Sequence, residues 1–174
     1  AGTMVSIMKG VFLGGADCLP LNLESFFTKS TRTIKKMKLG NLFMALTLFR
    51  VKDYRGVIAS AGMPPVYLYR DETGEVEEII QKAPPIGAFD HFCYHHTDLT
   101  FNKGDTMLML SDGLPELFNS NSEMFGYERI KDIVKETGNQ SPANIINCLV
   151  NAGDQWLAGK PQDDDITFVV LKVK

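Results

Sequence analysis

An apolar run that stops abruptly in acid constrains this chain more than any other feature. Thr106 to Ser111 reads TMLMLS, follows the turn signal Lys103-Gly104-Asp105 and halts at Asp112-Gly113. So short a segment cannot sustain an independent helix; it predicts a buried strand with Asp112 at its C-terminal edge. Asp-Gly is also a very common tight-turn dipeptide, and alone it means only a reversal. A second feature adds to it. Pro161-Gln162-Asp163-Asp164-Asp165-Ile166-Thr167 leads straight into Phe168, Val169, Val170 and Leu171, so three successive acids abut another expected strand. Adjacent carboxylates repel, and a solvated loop or a hard cation such as Mg²⁺ or Mn²⁺ relieves that repulsion. If the two strands are neighbours in one sheet, Asp112 and the acidic run converge.

With 174 residues, 44% hydrophobic and 22% charged, the chain has the profile of one globular domain spanning residues 1–174. A net charge of -3 gives no support for a general nucleic-acid binder. No apolar run approaches bilayer length, and the N-terminus lacks a secretion-type pattern. Cys18, Cys93 and Cys148 are odd in number and widely spaced without a CxxC, which fits reduced thiols in a cytoplasm. A membrane-anchored parent protein is compatible with all of this.

Met4, Val5, Ile7, Met8, Val11 and Phe12 gather on one side of a first helix, which Gly14, Gly15 and Pro20 are expected to break. Asn22 caps a second helix carrying Leu23, Phe26, Phe27, Ile34 and Met37, ended at Gly40. Its polar side, with Lys29, Arg32, Lys35, Lys36 and Lys38, reads as a solvated face rather than a dock for an acidic partner. Strands are expected over Leu42–Val51, Val57–Ala61, Val66–Arg70, Glu75–Ile80, Phe92–Phe101 and Thr106–Ser111, with turns at Asp53-Tyr54-Arg55-Gly56 and Asp71-Glu72-Thr73-Gly74. Short connections favour an antiparallel meander. Helices follow over Gly126–Thr137 and from the Ser141-Pro142 start signal to near Gly159, and a strand over Ile166–Val173 closes the chain. This order argues for an α+β layered domain.

His91, Cys93 and His95 alternate, so on a strand they would share a face and could offer ligands to zinc. Ligands at that spacing lie along a line, not around a tetrahedron, and the zinc reading is set aside. No GxSxG is present for a serine hydrolase, and no helix N-terminus is evident near Cys93 to stabilise a thiolate beside His91 or His95.

The succession Ser111-Asp112-Gly113-Leu114-Pro115-Glu116-Leu117, Phe125-Gly126-Tyr127-Glu128-Arg129-Ile130 and Asp164-Asp165-Ile166-Thr167-Phe168 resembles the C-terminal half of the metal-dependent PPM (PP2C-like) protein phosphatases. Within them it is most similar to the bacterial SpoIIE/RsbU-like branch. Ala61-Gly62-Met63-Pro64-Pro65 and Pro85-Ile86-Gly87 match that branch in the same order, although Met63 stands where it often has histidine. The resemblance implies an αββα sandwich of two mainly antiparallel sheets flanked by helices. It implies two divalent cations, Mn²⁺ or Mg²⁺, holding a water that attacks phosphorus directly, without a phosphoenzyme. Asp112 and Asp164 match metal-ligand aspartates, and Gly113 and Asp165 are supporting positions at that site.

The resemblance further implies a phosphorylated regulatory protein as substrate, akin to an anti-sigma-factor antagonist, and an upstream sensor or receiver domain in the parent. The GGDxxD-like and DxxGHG-like segments that precede the first helix in that family do not occur here, and Ala1-Gly2-Thr3-Met4 resembles the residues just after the second. The sequence is thus expected to be an N-terminally truncated domain with weak or no metal binding and no appreciable turnover as a fragment. Missing strands would leave sheet edges unpaired, so a homodimer is expected. The alternative is a non-catalytic regulatory module that keeps the phosphatase fold.

Overall fold

The computed structural model describes residues 2–16, 21–38, 40 and 42–174. Ala1, Cys18 and Pro20 lie outside the described residues. The chain divides into two compact units, Ala1–Met63 with Gln81–Thr100, and Pro64–Ile80 with Phe101–Lys174.

In the first unit, helix α1 (Gly2–Ala16) buries Met4 and Met8. Gly14 and Gly15 lie inside it and do not break it. A helical glycine costs only about 1 kcal/mol, and a Cβ on Gly15 would already touch the Phe26 ring at 3.4 Å, so close packing replaces what propensity loses. Helix α2 (Leu23–Lys36) starts at the expected cap, where Asn22 Oδ1 accepts the Ser25 amide at 2.8 Å. It ends four residues before Gly40, with Met37 as C-cap and Lys38 in the left-handed region (φ 52°). Its apolar stripe, Leu23, Phe26, Phe27 and Ile34, joins Met4, Met8, Ala59, Ala61, Ile86 and Tyr94 in one core.

Strands β1 (Leu46–Lys52) and β2 (Arg55–Ala61) form a hairpin closed by Asp53 and Tyr54, both at positive φ (48° and 63°). That pair of left-handed residues makes the two-residue turn whose twist matches the strands. Strand β2 also pairs with β5 (Thr97–Thr100), so the order in this sheet is β1-β2-β5. The expected strand from Phe92 to Phe101 shrinks to β5 (Thr97–Thr100). Residues before it are held by side chains instead: the Tyr94 ring sits 5.2 Å from Phe27 and 5.0 Å from Phe92, and its hydroxyl donates to the Pro84 carbonyl at 3.3 Å.

Beyond the Ile58–Thr97 pair, β2 outruns β5, and Gln81 takes over as a substitute strand. Its Oε1 accepts the Ser60 amide, while Nε2 donates to the Ile58 carbonyl at 3.2 Å and to Thr97 Oγ1 at 3.1 Å. Gln81→Leu keeps the bulk but orphans a half-buried donor and acceptor, so a loss of about 2–3 kcal/mol is expected in urea unfolding. A change below about 0.5 kcal/mol would mean that water replaces these bonds freely.

The second unit holds β3 (Val66–Arg70), β4 (Glu75–Ile79), β6 (Thr106–Leu110) and β7 (Phe168–Lys172), in the order β4-β3-β6-β7. Every pairing in both sheets is antiparallel, as short connections require. The expected simple meander is corrected: after β2 the chain builds β3 and β4 of one sheet, then returns with β5 to the other. Short loops fix antiparallel sense but not which sheet a strand joins.

Helix α3 (Tyr127–Thr137) follows Gly126, whose φ of 82° suits glycine alone. Helix α4 (Pro142–Leu157) begins as predicted, with Ser141 Oγ accepting the Asn144 amide at 3.3 Å and proline in the first turn. Ile130, Val134, Ile145 and Leu149 from these helices pack on Tyr67, Leu108 and Leu110 of the sheet. Among the described residues no helix is long and apolar enough to cross a membrane.

Candidate active site

Antiparallel pairing with Leu110 opposite Phe168 puts the C-terminal end of β6 beside the start of β7. Register alone therefore brings Ser111-Asp112-Gly113 against Asp165-Ile166-Thr167. The Ser111 amide donates to the Thr167 carbonyl at 3.1 Å, and the Thr167 amide donates back to Ser111 Oγ at 2.9 Å. Ser111 Oγ also donates to the Asp165 carbonyl at 3.2 Å. Gly113 is buried, and a Cβ there would run into the Asp165 carbonyl oxygen and stand 3.1 Å from Ile166 Cγ1. This position needs glycine for the closeness of a neighbouring backbone, not for a turn at positive φ.

The carboxylates themselves face solvent. Asp112, Asp163, Asp164 and Asp165 are all exposed. Asp164 Oδ1 accepts the Asp165 amide at 2.7 Å, and the Asp164 carbonyl accepts from the Gln162 side-chain amide, so the acidic loop is tied to itself on one side.

Two residues join the site that sequence reasoning did not single out. The Glu116 amide donates to the Asp112 carbonyl at 3.0 Å, a single helical turn that carries Glu116 onto the side of Asp112. The Gly126 amide donates to the Pro115 carbonyl at 2.8 Å and brings in Tyr127 at the start of α3. The Tyr127 phenol is pushed up by burial first, then by the negative charge of Glu116 and Asp112. The i, i+4 spacing of Asp112 and Glu116 was the available signal for Glu116; none in the sequence marks Tyr127. The intervening loop is braced from α4, where Trp156 Nε1 donates to the Leu117 carbonyl at 3.2 Å and to the Glu123 carbonyl at 3.3 Å. Arg129 stacks on the same indole, 4.1 Å from its centroid.

Exposed carboxylates with backbone carbonyls nearby are the hard oxygen donors that Mg²⁺ and Mn²⁺ prefer. In kind, Asp112 and Asp164 fit such an ion. In number they fall short, because among the described residues no three of His, Cys, Asp and Glu gather closely enough to hold a metal. His91, Cys93 and His95 do not lie on a strand, so the shared strand face that the zinc reading needed is not present.

The family model for stage II sporulation protein E (SpoIIE) matches residues 1–174, the whole chain. A search of curated protein sequences finds no match. Among solved structures, the SiaA PP2C domain of Pseudomonas aeruginosa is similar with a TM-score of 0.84 at 19% identity, over 99% of this chain and 69% of that one. The phosphatase domain of the cell fate determinant SpoIIE from Bacillus subtilis matches with a TM-score of 0.64 at 17% identity, over 98% and 71% of the two chains. The RsbU and RsbW domains of Rv1364c from Mycobacterium tuberculosis match at 0.73 and 17% identity, over 98% and 46%. At such identities these structures speak for the fold: four helices and two antiparallel sheets of the PP2C kind.

Proposed function

The chain belongs to the SpoIIE family of PP2C-like phosphatase domains, and from that premise we propose that it is the serine/threonine phosphoprotein phosphatase domain of a bacterial signalling regulator, cleaving a phosphoric monoester with metal-activated water in the cytoplasm. The observation that carries the reading is the junction of β6 and β7, where Ser111-Asp112-Gly113 and Asp165-Ile166-Thr167 are hydrogen-bonded together. Asp112 and Asp164 would hold the divalent cation, whose chemistry there is to acidify a bound water and offset charge on the phosphoryl oxygens. Gly113 lets the two loops touch, and Ser111 locks them. The half-buried Tyr127 hydroxyl stays protonated beside two carboxylates and can donate to a phosphoryl oxygen.

Residues 1–174 alone supply too few ligands for tight binding, so the isolated chain is proposed to bind Mn²⁺ weakly and to turn over little substrate. Its substrate is proposed to be a phosphorylated regulatory protein. In a protein that also carries the upstream metal motifs, Asp112→Asn and Asp164→Asn are each expected to reduce Mn²⁺-dependent dephosphorylation of a phosphoserine protein by about 10²-fold or more. Robust turnover in both variants would overturn the assignment. A non-catalytic regulatory module is the second reading, favoured by Met63, which stands where the resembled branch often has histidine. Absence of turnover in the unmodified longer protein would select it.

A further inference from the structure

Two sequence features that the phosphatase reading leaves unused meet in one place. Lys29 and Arg32 of α2 and the segment from His91 to His95 line the same cavity of about 650 Å³, entirely within the first unit. Its walls are fixed from behind. On one side α2 is anchored by the buried Phe26, Phe27, Ser30 and Ile34. On the other, Tyr94 is buried against Phe27 and Phe92, and Thr31 Oγ1 and the Tyr94 hydroxyl are 3.3 Å apart.

Two acids line the cavity beside the two cations, and the two pairs differ in whether they already have a partner. Both acids that line it have cationic or imidazole partners elsewhere: Glu24 Oε1 is 2.8 Å from His96 Nδ1 and also accepts the His96 amide, and Asp90 lies 3.8 Å from Lys35 Nζ. Among the described residues, the side chains of Lys29, Arg32, His91 and His95 make no hydrogen bond or ion pair. Two permanent cations and two imidazoles therefore line an open, solvent-exposed space beside the Ser25 hydroxyl, while the Thr28 hydroxyl is already donated to the Glu24 carbonyl at 2.9 Å. Guanidinium and ammonium donors with a hydroxyl such as that of Ser25 are the set that recognises phosphoryl oxygens. The volume suits a small ligand, and Phe92 adds an aromatic face.

We propose that this cavity binds a phosphorylated small molecule of nucleotide size, its phosphoryl oxygens held by Arg32 and Lys29. The site uses neither Asp112 nor Asp164, and it stands or falls separately from the phosphatase reading.

The test is a titration of the 174-residue chain in EDTA, followed by amide NMR, with inorganic pyrophosphate and then ADP as probes. Saturable binding is expected, with shifts concentrated in residues 22–32 and 90–95 and ADP tighter than pyrophosphate. Arg32→Ala and Lys29→Ala, on the exposed face of α2, should leave the thermal melt unchanged and each weaken ADP about tenfold. Asp112→Asn should leave this affinity as it was. No saturation by about 10 mM, binding unaffected by both cation substitutions, or shifts centred on residues 111–116 would overturn the proposal. Pyrophosphate binding as tightly as ADP would overturn its size assignment.

Discussion

Asp105→Ala is expected to cost about 3–5 kcal/mol, the scale of breaking a buried charge pair. Asp105 is 1% exposed and sits in the turn before β6. Its Oδ2 accepts from Arg70 Nη1 at 2.8 Å and from the Asn102 amide at 2.9 Å, and its Oδ1 accepts the Asp71 amide at 3.1 Å. One carboxylate thus satisfies the ends of two strands, β3 and β6, that are adjacent in the sheet. Alanine leaves two amides without an acceptor and half-strips a guanidinium, although Arg70 keeps Glu77 at 2.6 Å. Asp105→Asn retains the shape and one acceptor oxygen, so it should cost less, about 1–2 kcal/mol. Urea midpoints at constant m-value measure both. A loss under about 1 kcal/mol for alanine would mean that water enters the turn and replaces the carboxylate.

In the sequence this residue was part of a plain turn signal, Lys103-Gly104-Asp105, and the contrast shows what a local pattern can carry. Caps are local: Asn22 and Ser141 bond amides three residues ahead, and both were legible. Strands β3 and β6 were legible because short apolar runs with turn signals at both ends have few alternatives. Partners distant in sequence were not. Phe92 and Tyr94 alternate like strand residues, but Tyr94 packs on Phe27 and Phe92 packs on Tyr94 instead of joining a ladder. Lys29 and Arg32 read as a solvated face and are exposed; that they also line a groove depends on His91–His95, some sixty residues away, which no local pattern shows. At the candidate site, Asp112, Gly113, Asp164 and Asp165 came from family resemblance, while spacing could say only that they would meet if their strands paired. The pairing of Leu110 with Phe168 meets that condition for the two loops. Tyr127 enters through the Gly126–Pro115 hydrogen bond, which no motif encodes.

Gly113→Ala should then disable the proposed site more thoroughly than loss of one carboxylate. The Gly113 backbone is not in the left-handed region, so a Cβ brings no conformational strain of its own. Its cost is collision with the Asp165 carbonyl oxygen, a backbone atom that cannot swing aside as a side-chain tip would. Relief requires the start of β7 to back away from the Asp112 turn, which stretches the bonds from Ser111 to Thr167 and Asp165. Overpacking of this kind costs about 1–3 kcal/mol. Functional loss should be larger, on the order of 10²–10³-fold in metal-dependent turnover of the longer protein, because a displacement of about 1 Å misplaces both acids at once. Gly10→Ala is the control, since its Cβ would meet nothing within 4 Å on α1, and alanine there should stabilise by about 0.5–1 kcal/mol. Hydrogen exchange separates the collision from general destabilisation: in Gly113→Ala the Ser111 and Thr167 amides should lose protection while those of β3 keep theirs. Protection unchanged at Ser111 and Thr167, together with unchanged turnover, would mean that the two loops do not need to touch.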